Sequence, residues 1–332
     1  MKHLTLLFLF LFIPTLFITG CSESGNITET GQSQIDLTPI DPTKIVDIPD
    51  ENLAKLIREA LELPDDVDDI TAGQLATLEE LWCRGSGPIT DWTGLEYATQ
   101  LEALHLTWCL WSENPITGER ESIWNWDKES ADLTPLVGLK NLHLYLGENG
   151  IRDITPLKVL KNLKGLYLTA KTEDLTPLAE LKQLTKLSFN PGWGVAPRND
   201  LAPLAGLKQL TSLTFIGFFD DITPVAGLKQ LTRLHLDGNF DDITPLSGLK
   251  QLISLSLDGN FDDITPLSGL KQLTYLNLSD LYDQFDNDIS DVTPLSGLIN
   301  LETLDLRGNP IVDKTPLDEL RKKNPNVVIH ID

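Results

Sequence analysis

Cysteine is scarce in this chain: three in 332 residues, with one methionine and five histidines. Three thiols cannot build a disulfide scaffold, and no two stand at the short spacing of a zinc site. His3, His105, His143, His235 and His330 are too far apart in sequence to form a ligand motif, so neither a metal nor another cofactor is expected. The usual catalytic signatures are missing as well: H-E-x-x-H, the P-loop, G-x-S-x-G and the dinucleotide fingerprint. Basic residues are few, 26 Lys and Arg against 49 Asp and Glu, for a formal charge of −23. Phosphate backbones need cationic neutralisation, so nucleic acid is excluded as a partner. Beyond the first twenty residues no apolar run approaches the ~20 needed to cross a bilayer.

What the chain has in abundance is one phrase. Asp242-Ile243-Thr244-Pro245-Leu246 returns as Asp263-Ile264-Thr265-Pro266-Leu267, and its proline slot falls at Ala72, Gly94, Pro135, Pro156, Pro177, Pro203, Pro224, Pro245, Pro266, Pro294 and Pro316. From Pro203 to Pro266 the spacing is a constant 21. A fixed period of this size means that one supersecondary unit stacks on the next, so the length of the chain does not imply several globular domains. Each unit has two halves. One reads L-x-x-L-x-L-x-x-N, as in Leu231 to Asn239; its alternation has the strand period of two, with leucines inward and Arg233 and His235 outward. The other half carries Thr-Pro, which suits the N-cap and first position of a short helical or 3-10 turn. The asparagine at the ninth position (Asn149, Asn239, Asn260, Asn309) is suited to pairing with backbone groups buried in the turn.

Residues 1–20 have the shape of an export signal: Lys2, about fifteen mostly apolar residues from Leu4 to Ile18, then Thr19-Gly20. Ile18-Thr19-Gly20-Cys21 resembles the bacterial lipobox, which implies lipid attachment at Cys21 and anchoring to a membrane. Ser22, in place of the aspartate that retains many such proteins at the inner membrane, implies the outer membrane or cell surface of the envelope. Residues 21–45 are rich in Ser, Thr, Gly, Gln and Pro and read as a tether. Within 46–77, Leu53, Leu56, Ile57, Ala60 and Leu61 recur at helical spacing behind Asp50 as N-cap, with Pro64 as the stop, giving a cap for the exposed end of the array. The repeats then occupy 78–325, interrupted by an insertion at 109–131, and 326–332 form a closing strand.

The strand motif followed by D-I-T-P-L, and the segment from Ile48 to Glu62 before it, resemble the internalin-type leucine-rich repeat family over about 46–332. The resemblance implies an α/β solenoid: a horseshoe with a parallel sheet on its concave face, short helical or 3-10 turns on the convex side, a helical N-terminal cap, and protein binding on the concave surface.

The repeat phase identifies the outward position between the two inward leucines in each strand. It reads Trp82, His105, Tyr145, Tyr167, Ser188, Thr214, His235, Ser256, Asn277 and Asp305. The first four are rings, aligned over about 15 Å at the usual strand spacing. Aromatic anchors of this kind serve interfaces and sugar stacking, although rings also suit strands for their own sake. The insertion adds Trp111, Trp124 and Trp126 beside Trp108, either as part of the binding surface or as a flap over the cap. The expected partner surface is therefore Trp82, His105, Tyr145, Tyr167, Arg233 and His235, joined by Trp108, Trp111, Trp124 and Trp126. Cys83 occupies an inward leucine slot and Cys109 an asparagine slot; two buried thiols are the expected state, with a disulfide as the alternative. The acidic stretch Ser279 to Asp288 lacks the spacing of a calcium loop. These features together predict a non-catalytic, lipid-anchored protein outside the cytoplasm that recognises a protein partner, with glycan binding or a purely structural spacer as the alternatives.

Overall fold

The computed structural model describes residues 40–64, 67, 69–83, 89–106, 111–113, 120–122, 132–151, 153–191, 198–280 and 287–332. Eleven strands form one parallel sheet in chain order. They are β1 (Glu80–Trp82), β2 (Ala103–His105), β5 (His143–Ile151), β6 (Gly165–Ala170), β7 (Lys186–Asn190), β8 (Ser212–Ile216), β9 (Arg233–Asp237), β10 (Ser254–Asp258), β11 (Tyr275–Asn277), β12 (Thr303–Asp305) and β13 (Val328–His330). Between consecutive strands of the array runs a 3-10 turn such as Thr244–Gly248 or Thr265–Gly269. Within a strand, inward and outward positions separate cleanly: Leu234 and Leu236 are buried, whereas Arg233 is exposed and His235 half-buried. The core is a continuous stack of leucines with a run of phenylalanines inside it. Phe189 stacks on Phe215 at 4.5 Å, Phe215 meets the edge of Phe219 at 5.4 Å, and Phe219, Phe240 and Phe261 continue at 5.8 Å each.

The turns are built differently from the sequence expectation. Threonine is the first residue of the 3-10 turn, not its cap, and proline the second. Capping falls to the aspartate two residues upstream: Asp242 Oδ1 accepts from Thr244 N at 2.8 Å, and the same bond recurs at Asp132, Asp174, Asp221, Asp263, Asp291 and Asp313. An aspartate side chain that bonds the amide two residues on mimics a turn of backbone, which explains why the phrase begins with Asp. On the other side of each turn a lysine reaches the next repeat. Lys208, Lys250 and Lys271 Nζ donate to the carbonyls of Gly227, Gly269 and Gly297 at 3.4, 3.3 and 3.0 Å, so cations meet the carbonyl ends of the turns.

At the N-terminal end, α1 (Glu51–Ala60) forms where helical spacing predicts it, with Asp50 accepting from the amides of Asn52 and Leu53. A second short helix, α2 (Ala72–Leu75), is closed by a reciprocal Thr71–Gln74 capping box. At the other end, the Pro316 unit becomes a full helix, α3 (Thr315–Lys323), in place of a single turn. The reason is local. In the array a buried leucine, such as Leu184 or Leu210, follows three residues after the leucine that ends the turn and draws the chain inward. Lys323 takes that place here, and the helix runs on to Asn324. The insertion holds a short antiparallel pair, β3 (Trp111–Glu113) and β4 (Arg120–Ser122).

The ninth-position asparagines divide. Asn309 is buried; its Nδ2 donates to Leu278 O and Leu306 O at 2.7 and 3.1 Å, and its Oδ1 accepts from Ile289 N at 3.3 Å. Asn260 donates to Asn239 O at 3.2 Å, yet among the described residues the Asn239 side-chain oxygen has no partner. The Asn149 side chain lies outside the described residues.

Candidate functional site: a ladder of stacked rings

Because adjacent strands pair in register, the outward residues between the inward leucines fall into a single file. Trp82 is opposite His105, His105 opposite Tyr145, Tyr145 opposite Tyr167, and Tyr167 opposite Ser188. The four rings are stacked face to face. Centroid separations are 3.5, 3.9 and 4.3 Å, with interplanar angles of 7°, 13° and 8°. All three are below the ~4.8 Å spacing of neighbouring strands, as expected of side-chain tips converging on the inner side of a curved sheet. Beyond Tyr167 the file continues through Ser188, Thr214, His235, Ser256, Asn277, Asp305 and His330.

The ladder is electrically neutral near pH 7. Burial in the stack pushes the His105 imidazole below its ordinary value, with the Glu80 carboxylate pulling the other way. Burial, reinforced by Tyr167, holds the Tyr145 hydroxyl above the usual phenol range. Glu80 also accepts from Trp82 Nε1 at 2.9 Å, fixing the orientation of the indole. His143 does not join the file. Its Nδ1 lies 3.1 Å from Asn141 O and 3.3 Å from Glu102 O, and its ring occupies the space that a Cβ on Gly165 would need.

His235 and Arg233 lie on β9, three strands beyond Tyr167, and are not in contact with the ring stack through any of the ring pairs above. Burial lowers the pKa of His235, against the attraction of Asp237. Trp108, Trp124 and Trp126 lie outside the described residues, as does the Trp111 side chain. Most of the acidic stretch, including Asp283 and Asp286, also falls outside them. Cys83 corrects an expectation. It is buried in its leucine slot as read, but it is disulfide-bonded and not a free thiol; the other cysteines, Cys21 and Cys109, lie outside the described residues. Among the described residues no group of His, Cys, Asp and Glu could hold a metal ion.

Two sets of carboxylates contribute to the pH dependence of the fold in opposite senses. The hydroxyl and amide of the following threonine hold Asp242, Asp263 and Asp291 below the usual carboxylate range. A depressed folded pKa contributes stability that is present above the unfolded value and lost as pH falls below it. Asp258 behaves in the opposite way: burial, then Asp237 and Asp280, push it up to about 6. Its contribution is complete below about 4 and is lost as pH rises to about 6, and solvent screening at this half-exposed group limits it to about 1 kcal/mol. His105 and His235, whose folded values burial lowers, act against Asp258: they add stability as pH rises toward about 6.5. The Asp258 share is therefore read by difference, and Asp258→Asn should gain in melting temperature over the native protein as pH rises from about 4 to about 6. Melting curves of both proteins from pH 3 to 7 check this, and a constant difference across that range would refute it.

A parallel sheet in chain order, one 3-10 turn per 21-residue unit, and an inward leucine file decide the architecture. The fold is that of the leucine-rich repeat proteins. An internalin from Listeria monocytogenes, InlF, is similar at 26% identity, over 90% of this chain and 86% of that one, with a TM-score of 0.59. The functional domain of InlJ from the same species shares the fold at 22% identity and a TM-score of 0.56, over 89% of this chain and 63% of that one. No family model matches this chain, and no curated protein does. The ring ladder lies on the strand face of the leucine-rich repeats, and the 3-10 turns line the opposite side.

Proposed function

We propose that this leucine-rich repeat protein is a non-catalytic recognition module that docks a protein partner on the N-terminal half of its concave face. The observation that carries this is the ladder Trp82–His105–Tyr145–Tyr167: four large, rigid, uncharged rings in one file on an otherwise acidic chain. Rigid aromatic groups lose little entropy on binding and concentrate interface energy. Face-to-face stacking also favours protein over glycan. A sugar stacks on an open ring face, whereas both faces of His105 and of Tyr145 are covered by neighbouring rings. Along its length the ladder offers ring edges and polar tips; among the described residues an open face is left at its Tyr167 end.

The export-type leader and the lipobox-like Ile18-Thr19-Gly20-Cys21 support anchoring by lipid at Cys21, outside the cytoplasm. The disulfide at Cys83 supports an oxidising compartment. Among the described residues no helix is long and apolar enough to cross a membrane.

The test is capture from envelope extract by the immobilised mature protein, beside a variant carrying Trp82→Ala, Tyr145→Ala and Tyr167→Ala. The ligand retained by the native protein should fall at least about tenfold in the variant, the scale of one interface hot spot, with the circular dichroism spectrum unchanged. Equal retention by a folded variant would move the site off the ladder.

A further inference from the structure

The ladder stops abruptly. Tyr167 is stacked on Tyr145, but its next neighbour in the file is Ser188, followed by Thr214, and the next ring is His235. Among the described residues no ring covers the second face of Tyr167. Three strand spacings separate Tyr167 from His235, roughly 14 Å, and the floor between them carries only a hydroxymethyl and a threonine side chain. The gap is long enough for a planar group to slide in beside Tyr167 and continue the stack.

Its charge is as distinctive as its shape. Lys186 lies two residues before Ser188 on β7, and Arg233 two residues before His235 on β9. Lys186 is half-buried and Arg233 exposed, and neither takes part in an ion pair among the described residues. On a chain of net charge −23, two uncompensated cations beside an open ring face are a local reversal of sign. Residues two apart on an extended strand project to the same side about 6.7 Å apart. The separation from the slot to Lys186 therefore equals that between alternate side chains of an extended peptide.

We propose that Tyr167, Ser188 and Thr214 form an acceptor slot for an aromatic side chain of the protein partner, and that Lys186 and Arg233 receive a carboxylate two residues away in the same extended segment. The partner motif is thus an aromatic and an acidic residue separated by one position. This rests on the concave-face reading above and specifies its ligand chemistry.

The probes are the tripeptides Ac-Tyr-Gly-Glu-NH2, Ac-Tyr-Gly-Lys-NH2 and Ac-Leu-Gly-Glu-NH2, titrated into the isotopically labelled mature protein and followed by NMR. The first should shift the Tyr167 ring and the Ser188 and Thr214 amides. Replacing its Glu by Lys should weaken binding about three- to fivefold, the scale of an exposed ion pair, and added salt should narrow that difference. The Leu peptide should give no shift at these positions. Ser188→Trp fills the slot with a ring of the protein's own and should abolish binding of the Tyr peptides. Thr214→Tyr blocks it from the other side and guards against a folding defect in the first variant. Equal binding of all three peptides, no binding of any, or binding that survives both substitutions overturns the slot. Envelope-extract capture lost in the ladder variant but intact in Ser188→Trp would overturn the slot alone and leave the concave-face reading standing.

Discussion

Replacing Phe240 by alanine is expected to lower the unfolding free energy by about 3–5 kcal/mol, the range for truncating a fully buried phenylalanine. Phe240 is completely buried between Phe219 and Phe261, with ring centroids 5.8 Å away on each side. The three occupy the same slot in successive repeats, just before the Asp-Asp of the turn, so the cavity left by alanine would open between stacked units and not at a surface. Backbone on every side is tied to the next unit, which limits collapse into the void. In a solenoid each repeat touches only its neighbours, so the damage should be graded along the chain. Hydrogen exchange should accelerate most from β8 to β10 and least at β1 and β2. Phe240→Leu, which retains most of the volume, should cost about 1 kcal/mol. Denaturant titration of the two variants makes the comparison. A loss below about 1 kcal/mol for alanine would mean that the phenylalanine file is loosely packed.

Gly308→Ala is the second substitution with a large expected effect, and its cause is backbone geometry. Gly308 sits at φ +83°, where a β-carbon is disfavoured. A Cβ there would also overlap the carbonyl of Asp280 on the neighbouring loop, which is backbone and cannot rotate away. The turn it belongs to is a junction. Gly308 N donates to Asp332 Oδ2 at 2.6 Å, Leu306 N donates to His330 O at 2.9 Å, and Asn309 next to it bonds Leu278 O. Conformational strain together with displacement of this junction should cost about 3 kcal/mol or more, the upper range for single substitutions. The readout is local: amide protection at Leu306 and in β13 should fall well before that of β9. Unchanged protection there would show that the loop carrying Asp280 yields freely.

Much of this architecture is legible in the leucines and prolines. Because side chains alternate and neighbouring repeats share one phase, Leu234 and Leu255 must pair, and that forces His235 opposite Ser256; the file Trp82–His105–Tyr145–Tyr167 follows by the same logic. That the rings stack face to face is not legible, since it depends on side-chain rotation and on curvature of the sheet, neither of which period encodes. The cap sits two residues before the expected threonine for a reason that the sequence does contain. Asp precedes Thr by two in nearly every unit, and a 3-10 turn, with its tighter i→i+3 bonding, starts at the threonine itself. For α3 the signal was the missing leucine at Lys323. The bonded state of Cys83 was not legible, because pairing depends on how two slots face each other across different repeats, which spacing alone leaves open.

Residues 237–252 and 258–273 are letter-for-letter the same, and both carry the aspartate that closes the turn and the lysine that reaches its neighbour. Loss or gain of one 21-residue unit there would let the turn aspartate, the reaching lysine and the buried phenylalanine meet equivalent partners across the seam, while the rings on β1 to β6 stay as they are. The array is a ruler whose graduations are interchangeable in one stretch and individual elsewhere: its length could change there while the face that carries the ladder keeps its identity.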